Sequence, residues 1–510
     1  MAPLAVSGPR SARHTAATAP NSSDTRAAAG APNIFFYNLD DLRDAFPGAI
    51  DPLRFMPKTR AWMADGRRYT RMFVADPSCC PSRASLMTGR YPHNNGVLDQ
   101  ADGPLFDGPH SMACYLRAAG YTTSIAGKFL TTWPKTSLPP CFDRSTIMWG
   151  GYRDVAVRVE GAARTSTGYS TTYLGDRGRE YINAALATPG PALPPFLLYE
   201  TPQAPHWVAI TNPDNSVSRL AVPDTPYASA AVGTCSGVPE ADRSDKPAYV
   251  RTMNHTTAQG QAMCQSQMRA IMSADDEFDK TMQLLKTKGV LDNTLVILSS
   301  DNGYMWGEHG RWEKFVPYEL DSGAPSGAVA GPHRCGNRHD PHRLLLGPAS
   351  HHAPGCRLHP AGLGTPARWG VPAAGEPPHH DVQRVLRRRR QPQHPLLADG
   401  ADRVGQVRAD LQRARRRDLP RVLQPHDRPS ENINLLGDTS TANDPPATTI
   451  TTMTNRLNAF ATCSGTAACN RRNVRTPQGR RTTATGWLPR SLRRPNRRDH
   501  GAGLGESTAP

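Results

Sequence analysis

The sequence predicts an α/β fold built on a largely parallel sheet between helices, and three observations carry that reading. Four short apolar runs are spread over residues 33–298, separated by segments with helical spacing or turn residues. Each run stops at a charged or metal-capable residue. One of the intervening segments, Gln261 to Lys288, repeats apolar residues at helical spacing and leads directly into the last run. Short buried strands alternating with helices favour parallel pairing, and such sheets bind ligands at the carboxyl ends of their strands.

Taken in order, Asn33-Ile34-Phe35-Phe36-Tyr37-Asn38-Leu39 reads as a buried strand ending at Asp40-Asp41. Cys79-Cys80-Pro81-Ser82-Arg83 is a short turn feeding a helix-like run, Ala84 to Arg90, because proline suits the first turn of a helix. The free N–H groups of that turn, with Arg83, suit an anion. Tyr121 to Ala126 reads as the second strand, ending at Gly127-Lys128, and Phe196 to Tyr199 as the third, followed by Gln203-Ala204-Pro205-His206. In the segment from Gln261, Met268, Ile271, Phe278, Met282 and Leu285 form one apolar helix face, and Gly289 stops it. Thr294 to Leu298 is the fourth strand, and Asp301-Asn302-Gly303 follows.

With 510 residues the chain has ample sequence for a core and room for more than one domain. Its formal charge is +16 and its pI is near 9.6. That excess lies in residues 321–428 and 470–510, which carry about +9 and about +8. The remainder is close to neutral, which argues against nucleic-acid binding. No run is apolar and long enough to span a membrane. Residues 1–30 read as a disordered Ala-, Ser-, Thr- and Pro-rich leader without an apolar signal core. Ten cysteines are few for a disulfide scaffold in so long a chain. Cys235 with Cys264, and Cys463 with Cys469, are candidate pairs that sequence alone leaves open.

The candidate chemistry starts at Cys79. A cysteine pair before a helix is ordinarily a buried structural element, and two aspartates after a strand are ordinarily a turn or a cap. Asp40, Asp41, Asp301 and Asn302 nonetheless offer hard oxygen ligands of the kind that hold Ca²⁺ or Mg²⁺. The spacing of Cys79, Pro81, Ser82, Arg83, Thr88 and Gly89 resembles the signature of the type I sulfatases, and the resemblance extends to both acidic pairs. It implies an alkaline-phosphatase-like sulfatase fold with a smaller C-terminal domain. It also implies that formylglycine-generating machinery converts Cys79 to an aldehyde. By that resemblance one hydroxyl of the aldehyde hydrate attacks sulfur and releases the alcohol, and loss of the other hydroxyl's proton then expels sulfate and regenerates the aldehyde.

By the same resemblance, Asp40, Asp41, Asp301, Asn302 and the modified Cys79 hold the cation. Arg83 supports the hydrate, Lys128, His206 and Lys314 stabilise charge on the sulfate oxygens, and His206 or Lys314 protonates the leaving oxygen. Read singly, each lysine is a solvated charge and the histidine a structural one. The contexts Ala-Gly-Lys, Gln-Ala-Pro-His and Gly-Glu-His-Gly-Arg-Trp-Glu-Lys carry the case, with His309 a weaker candidate. Many sulfatases place a histidine two residues after the lysine, where this chain has Leu130. Gly127-Lys128-Phe129-Leu130, Tyr91-Pro92-His93-Asn94 and Cys463-Ser464-Gly465 instead resemble the N-acetylglucosamine-6-sulfatase branch. The implied substrate is therefore a sulfated small molecule, specifically an amino-sugar or glycosaminoglycan-type sulfate. A phospho- or phosphonate-ester hydrolase of the same superfamily and a catalytically dead, unstable product are the alternatives. Similar sulfatases are often exported, and the leader leaves location open.

The resemblance runs without a gap through residues 31–319 and then breaks. Residues 321–428 contain no lysine, isoleucine, phenylalanine, tyrosine or methionine and are rich in Arg, His, Pro, Ala and Gly. Most of the missing types have AT-rich codons and most of the abundant ones GC-rich codons, the pattern of a GC-rich gene read out of frame. Pro429 to Asp438 again resembles a late family element. The expectation is a frameshifted, disordered segment over about 320–428, a remnant of the C-terminal subdomain over 429–469, and a basic disordered tail over 470–510. Neither 321–428 nor 470–510 is expected to carry a packed core.

Overall fold

The computed structural model describes most of residues 31–318, short internal breaks aside, together with Val329–Ala330 and isolated positions near residue 450. The expectations for the leader, for the remainder of 320–428, for the 429–469 remnant with Cys463 and Cys469, and for the tail lie outside the described residues.

In chain order, β1 (Asn33–Leu39) is followed by α1 (Pro57–Trp62), α2 (Cys79–Thr88), α3 (Pro92–Asn95) and α4 (Met112–Ala118). Then come β2 (Thr122–Lys128), β3 (Arg144–Met148), β4 (Ala156–Val159), β5 (Ala162–Thr165), α5 (Ser170–Leu186) and β6 (Phe196–Thr201). A hairpin of β7 (Val208–Thr211) and β8 (Val217–Leu220) precedes α6 (Ala248–Arg251), the long α7 (Thr257–Thr287) and β9 (Thr294–Ser300). Next are a second hairpin, β10 (Met305–Trp306) with β11 (Trp312–Glu313), and β12 (Val329–Ala330).

Eight strands form one sheet in the order β12-β9-β1-β6-β2-β3-β4-β5. The central five are mutually parallel, and antiparallel strands flank them at both edges. The predicted α/β class with a largely parallel sheet is therefore the observed one. All four predicted strands form, and three of them run two residues beyond their apolar stretch, to Lys128, Thr201 and Ser300. The ladder continues there because it is made by backbone groups: Gly127 pairs with Thr201, and Leu39 with Ser300.

β1 is hydrogen-bonded along both edges, to β9 and β6, and helices cover both of its faces. Phe35 and Tyr37 pack on Phe278 of α7, with ring centroids 5.6 and 5.5 Å apart. On the opposite face Phe36 meets Tyr199, in a cluster with Cys80, Ala84 and Met87 of α2. These two apolar layers anchor the helices that frame the carboxyl edge of the sheet. α7 begins four residues before the predicted start, because Thr256 and Gln259 form a reciprocal capping box. The predicted apolar face is buried, including Met268, Ile271, Phe278, Met282 and Leu285, each worth about 1.5–3 kcal/mol on burial. Gly289, at φ 68°, ends the helix as expected.

Gly127 is required where β2 meets β6: it sits at φ 130°, and a Cβ there would lie 2.0 Å from the Thr201 carbonyl oxygen. Two disulfides are present among the described residues. Cys235–Cys264 is one of the candidate pairs, and Cys114–Cys141, which the sequence did not single out, ties α4 to the segment before β3.

Beneath the sheet, Glu200 of β6 is fully buried, and neither carboxylate oxygen has a hydrogen-bond partner among the described residues. Burial drives its pKa well above the usual carboxylate range; Arg179 opposes this, and Glu277 and Asp176 add to it. A carboxyl whose pKa rises on folding lends stability that is complete below its unfolded pKa and drains away as pH climbs toward the folded value. Wild type should therefore lose stability relative to Glu200→Gln, by up to about 1.4 kcal/mol per pH unit, as pH rises above the ordinary carboxylate range. Paired thermal melts at rising pH check this, and parallel stability curves would refute it.

Candidate active site

The carboxyl ends of β1, β2, β6 and β9 and the first turn of α2 converge on one buried cluster. Asp40 and Asp41 follow β1, Lys128 ends β2, His206 follows β6, and Asp301 and Asn302 follow β9. Ser78 precedes α2, which takes in the Cys79–Arg83 segment read from the sequence as a turn before the helix, so Cys79 is the first helical residue; the helix ends on Gly89 at φ 65°. Asp40, Asp41, Cys79 and His206 offer potential ligand atoms within 4.8 Å of one another. Cys79 Sγ lies 3.5 Å from Asp40 Oδ1 and 3.9 Å from Asp41 Oδ1. Lys314 Nζ approaches Cys79 Sγ to 2.7 Å and also pairs with Asp41. Lys128 Nζ donates to Asp40 Oδ2 at 2.6 Å.

The remaining members join by hydrogen bonds. Arg83 Nε donates to Asp301 Oδ2 at 2.8 Å, and its Nη1 to the Lys128 carbonyl at 2.8 Å. Its guanidinium is thus committed to holding Asp301 and the end of β2, with Nη2 3.7 Å from Asp40. The Asp41 N–H donates to Asp301 Oδ1 at 3.1 Å, and Asn302 Nδ2 donates to Asp41 Oδ1 at 2.7 Å. Asp40, Asp41, Cys79, Arg83, Lys128, His206, Asp301, Asn302 and Lys314, the residues the sequence assigned to catalysis or metal, all meet in this cluster. His309 does not: it is buried against Tyr318, and its Nδ1 lies 2.8 Å from Glu240 Oε2. Leu130 packs in the apolar layer with Cys80 and Phe129. Sequence reasoning missed Ser300, whose hydroxyl accepts from the Leu42 N–H and donates to the Leu39 carbonyl, fixing the turn that carries Asp40 and Asp41. Only the register of β9 against β1 places it there.

Charge is balanced inside a buried site. Burial opposes ionisation of Asp40, yet Lys128, His206 and Arg83 together hold its carboxyl well below the usual range. Burial likewise opposes charge on Asp41, and His206 and Lys314 overcome it. Both aspartates therefore stay ionised and available as ligands. Burial pushes the Cys79 thiol well above its ordinary value despite Lys128 and Lys314, so the encoded thiol is a poor nucleophile. Burial lowers His206, with Asp41 and Asp40 opposing. Its Nδ1 faces the Trp207 carbonyl at 2.6 Å, an acceptor, so Nδ1 carries the proton in the neutral ring. Nε2 is then the atom directed toward Asp41, 3.6 Å from Oδ2.

The donor set fits a hard divalent cation. Asp41 Oδ2 and Asn302 Oδ1 are buried oxygens with no hydrogen-bond partner among the described residues, and such orphaned acceptors are costly unless something satisfies them. Asp40 and Asp301 supply further carboxylate oxygens beside them. Oxygen donors of this kind suit Ca²⁺ or Mg²⁺.

The family model described as Sulfatase matches residues 32–343. The chain is similar to the extracellular sulfatase SULF-1 homolog of Drosophila melanogaster, 27% identical over 321 residues that cover 58% of this chain and 27% of that protein. It is similar to the N-acetylglucosamine-6-sulfatase of Capra hircus, 27% identical over 328 residues, covering 59% of this chain and 56% of that protein. The chain thus spans between about a quarter and about half of the length of these curated relatives. Among solved structures, one in complex with its substrate D-glucosamine-2-N,6-O-disulfate matches at a TM-score of 0.48 and 19% identity, covering 59% of this chain and 71% of that one.

Proposed function

This chain belongs to the sulfatase family, and we propose that it hydrolyses sulfate esters, using formylglycine made from Cys79 and a divalent cation held by Asp40, Asp41, Asp301 and Asn302. The observation that carries the reading is the meeting of Cys79 with the buried carboxylates of Asp40 and Asp41 and the amine of Lys314 at the carboxyl edge of the sheet. A thiol placed so is shielded and poorly ionised, whereas the same side chain as an aldehyde hydrate presents two hydroxyls to that site. The bound cation, Ca²⁺ or Mg²⁺, supplies Lewis-acid polarisation and a lowered hydroxyl pKa.

The chain's own residues do the rest. Lys128 and Lys314, both buried, bring positive charge to where the sulfate oxygens would lie, where low dielectric strengthens its effect. Arg83 positions Asp301 and the end of β2, which keeps Lys128 aimed at Asp40. His206, with its Nδ1 proton tied to a carbonyl, offers Nε2 for proton exchange with the leaving oxygen. An amino-sugar sulfate is the favoured substrate class, supported by the Gly-Lys-Phe-Leu context of Lys128 and by similarity to proteins named N-acetylglucosamine-6-sulfatase.

The test compares an aryl sulfate with the matching aryl phosphate, using protein produced in cells with the maturation machinery. Sulfate turnover should exceed phosphate turnover by about 10²-fold or more. Preference for the phosphate would instead identify a phospho- or phosphonate-ester hydrolase. N-acetylglucosamine-6-sulfate then tests the sugar class.

A further inference from the structure

Lys314 and His206 reach the cluster from loops. The residues on either side of Lys314, Glu313 and Phe315, both occupy the left-handed region, at φ 75° and 79°. Non-glycine residues remain there only when surrounding contacts enforce it. One such contact is the Phe315 N–H, which donates to the Pro77 carbonyl at 3.2 Å, two residues before Cys79. The other is Arg219, whose Nη1 lies 2.5 Å from Glu313 Oε1.

Arg219 stands on β8, directly opposite Ala209 of β7. Its side chain therefore shares a hairpin face with Trp207, two residues upstream of Ala209. The guanidinium carbon lies 4.9 Å from the Trp207 ring centroid. The Trp207 ring in turn stacks on the His206 imidazole, with centroids 5.5 Å apart and planes inclined by 25°. Contacts thus run unbroken from Lys314 through Glu313, Arg219 and Trp207 to His206.

We propose that Arg219 is a positioning residue: the β7–β8 hairpin uses it to lock Lys314 and His206 into one geometry around Cys79. The inference rests on the reading that these two side chains serve the sulfate. The side chain of Arg219 is one-third exposed, so its charge is largely screened and its role is geometric. A guanidinium can pair in its plane with Glu313 and stack on Trp207 at once, which an ammonium cannot reproduce.

The full chain is compared with Arg219→Met, Arg219→Lys and Trp207→Phe. Acetic anhydride labels lysines and diethyl pyrocarbonate labels histidines, and peptide mass spectrometry follows Lys314 and His206 against exposed Lys58 and His110 as internal references. Arg219→Met should raise labelling of both site residues about tenfold over their references, as a loosened segment opens more often. Unchanged rates at Lys314 and His206 would overturn the proposal.

In turnover of an aryl sulfate, kcat should fall about 10- to 100-fold with KM within about threefold, Arg219→Lys recovering part of the loss. A raised KM at constant kcat would overturn the proposal too, since it marks a binding role. If Arg219→Met does not fold, as judged by circular dichroism, the lysine and phenylalanine variants decide by the same readouts. If wild type turns over no aryl sulfate, the proposed function fails, and the labelling rates still judge the clamp. If turnover is present while labelling and kcat are unmoved, the clamp fails and the proposed function stands.

Discussion

Cys79→Ala should abolish sulfate-ester turnover, by about 10⁴-fold or more, while the protein keeps its thermal midpoint within a few degrees. The loss is large because the replaced side chain is the proposed nucleophile. The fold is spared because Cys79 is a small buried residue whose polar contacts all belong to the cluster. In wild type the peptide containing Cys79 should be lighter than encoded, by the difference between a thiol side chain and an aldehyde, and should react with a hydrazide probe. Full turnover by protein whose Cys79 is still a thiol would rule out the proposed nucleophile.

Asp301→Ala should be the most damaging of the ligand substitutions, in two separable ways. Arg83 is fully buried and spends its Nε on Asp301. Removing one partner of a buried pair costs about 3–5 kcal/mol, because the other charge is left uncompensated. The same substitution removes two oxygens from the proposed cation site. Asn302→Ala isolates the second effect, since it takes away an orphaned carbonyl oxygen and leaves Arg83 paired. Titrating Ca²⁺ into chelator-treated wild type should raise stability, by about 2.7 kcal/mol at a hundredfold excess over Kd. That increment should shrink in Asn302→Ala and vanish in Asp301→Ala. Equal increments in all three proteins would show that the cation sits elsewhere.

The legibility of the site followed the range of the interactions involved. β1 is readable because a strand covered on both faces must be apolar at every position, and Ile34 to Tyr37 satisfies that locally. α7 is readable because its buried residues recur at helical spacing within one segment. Even its true start is written locally, in the capping pair Thr256 and Gln259. By contrast β4 and β5 are four-residue strands with exposed positions, β5 at the edge of the sheet, too short for their sequences to mark them. The Cys114–Cys141 disulfide has no local mark, because two cysteines 27 residues apart carry no sign of which partner each takes.

The sequence by itself determined the residue types of the site and their attachment to strand ends: a cysteine at a helix start, paired oxygen ligands after two strands, and basic side chains in three separate contexts. These are local properties, set by periodicity, turn chemistry and motif spacing. Only the tertiary structure decided what each side chain does once there. It committed Arg83 to Asp301, turned His206 so that Nδ1 meets a carbonyl, and set Ser300 as the brace of the Asp40–Asp41 turn. It also joined Arg219 to Glu313 across 94 positions. The His206 contact is to its own neighbour, but the ring takes that orientation only where Trp207 packs on Arg219; the other contacts depend on strand register and on which loops meet above the sheet, and no short window of sequence contains both of their partners.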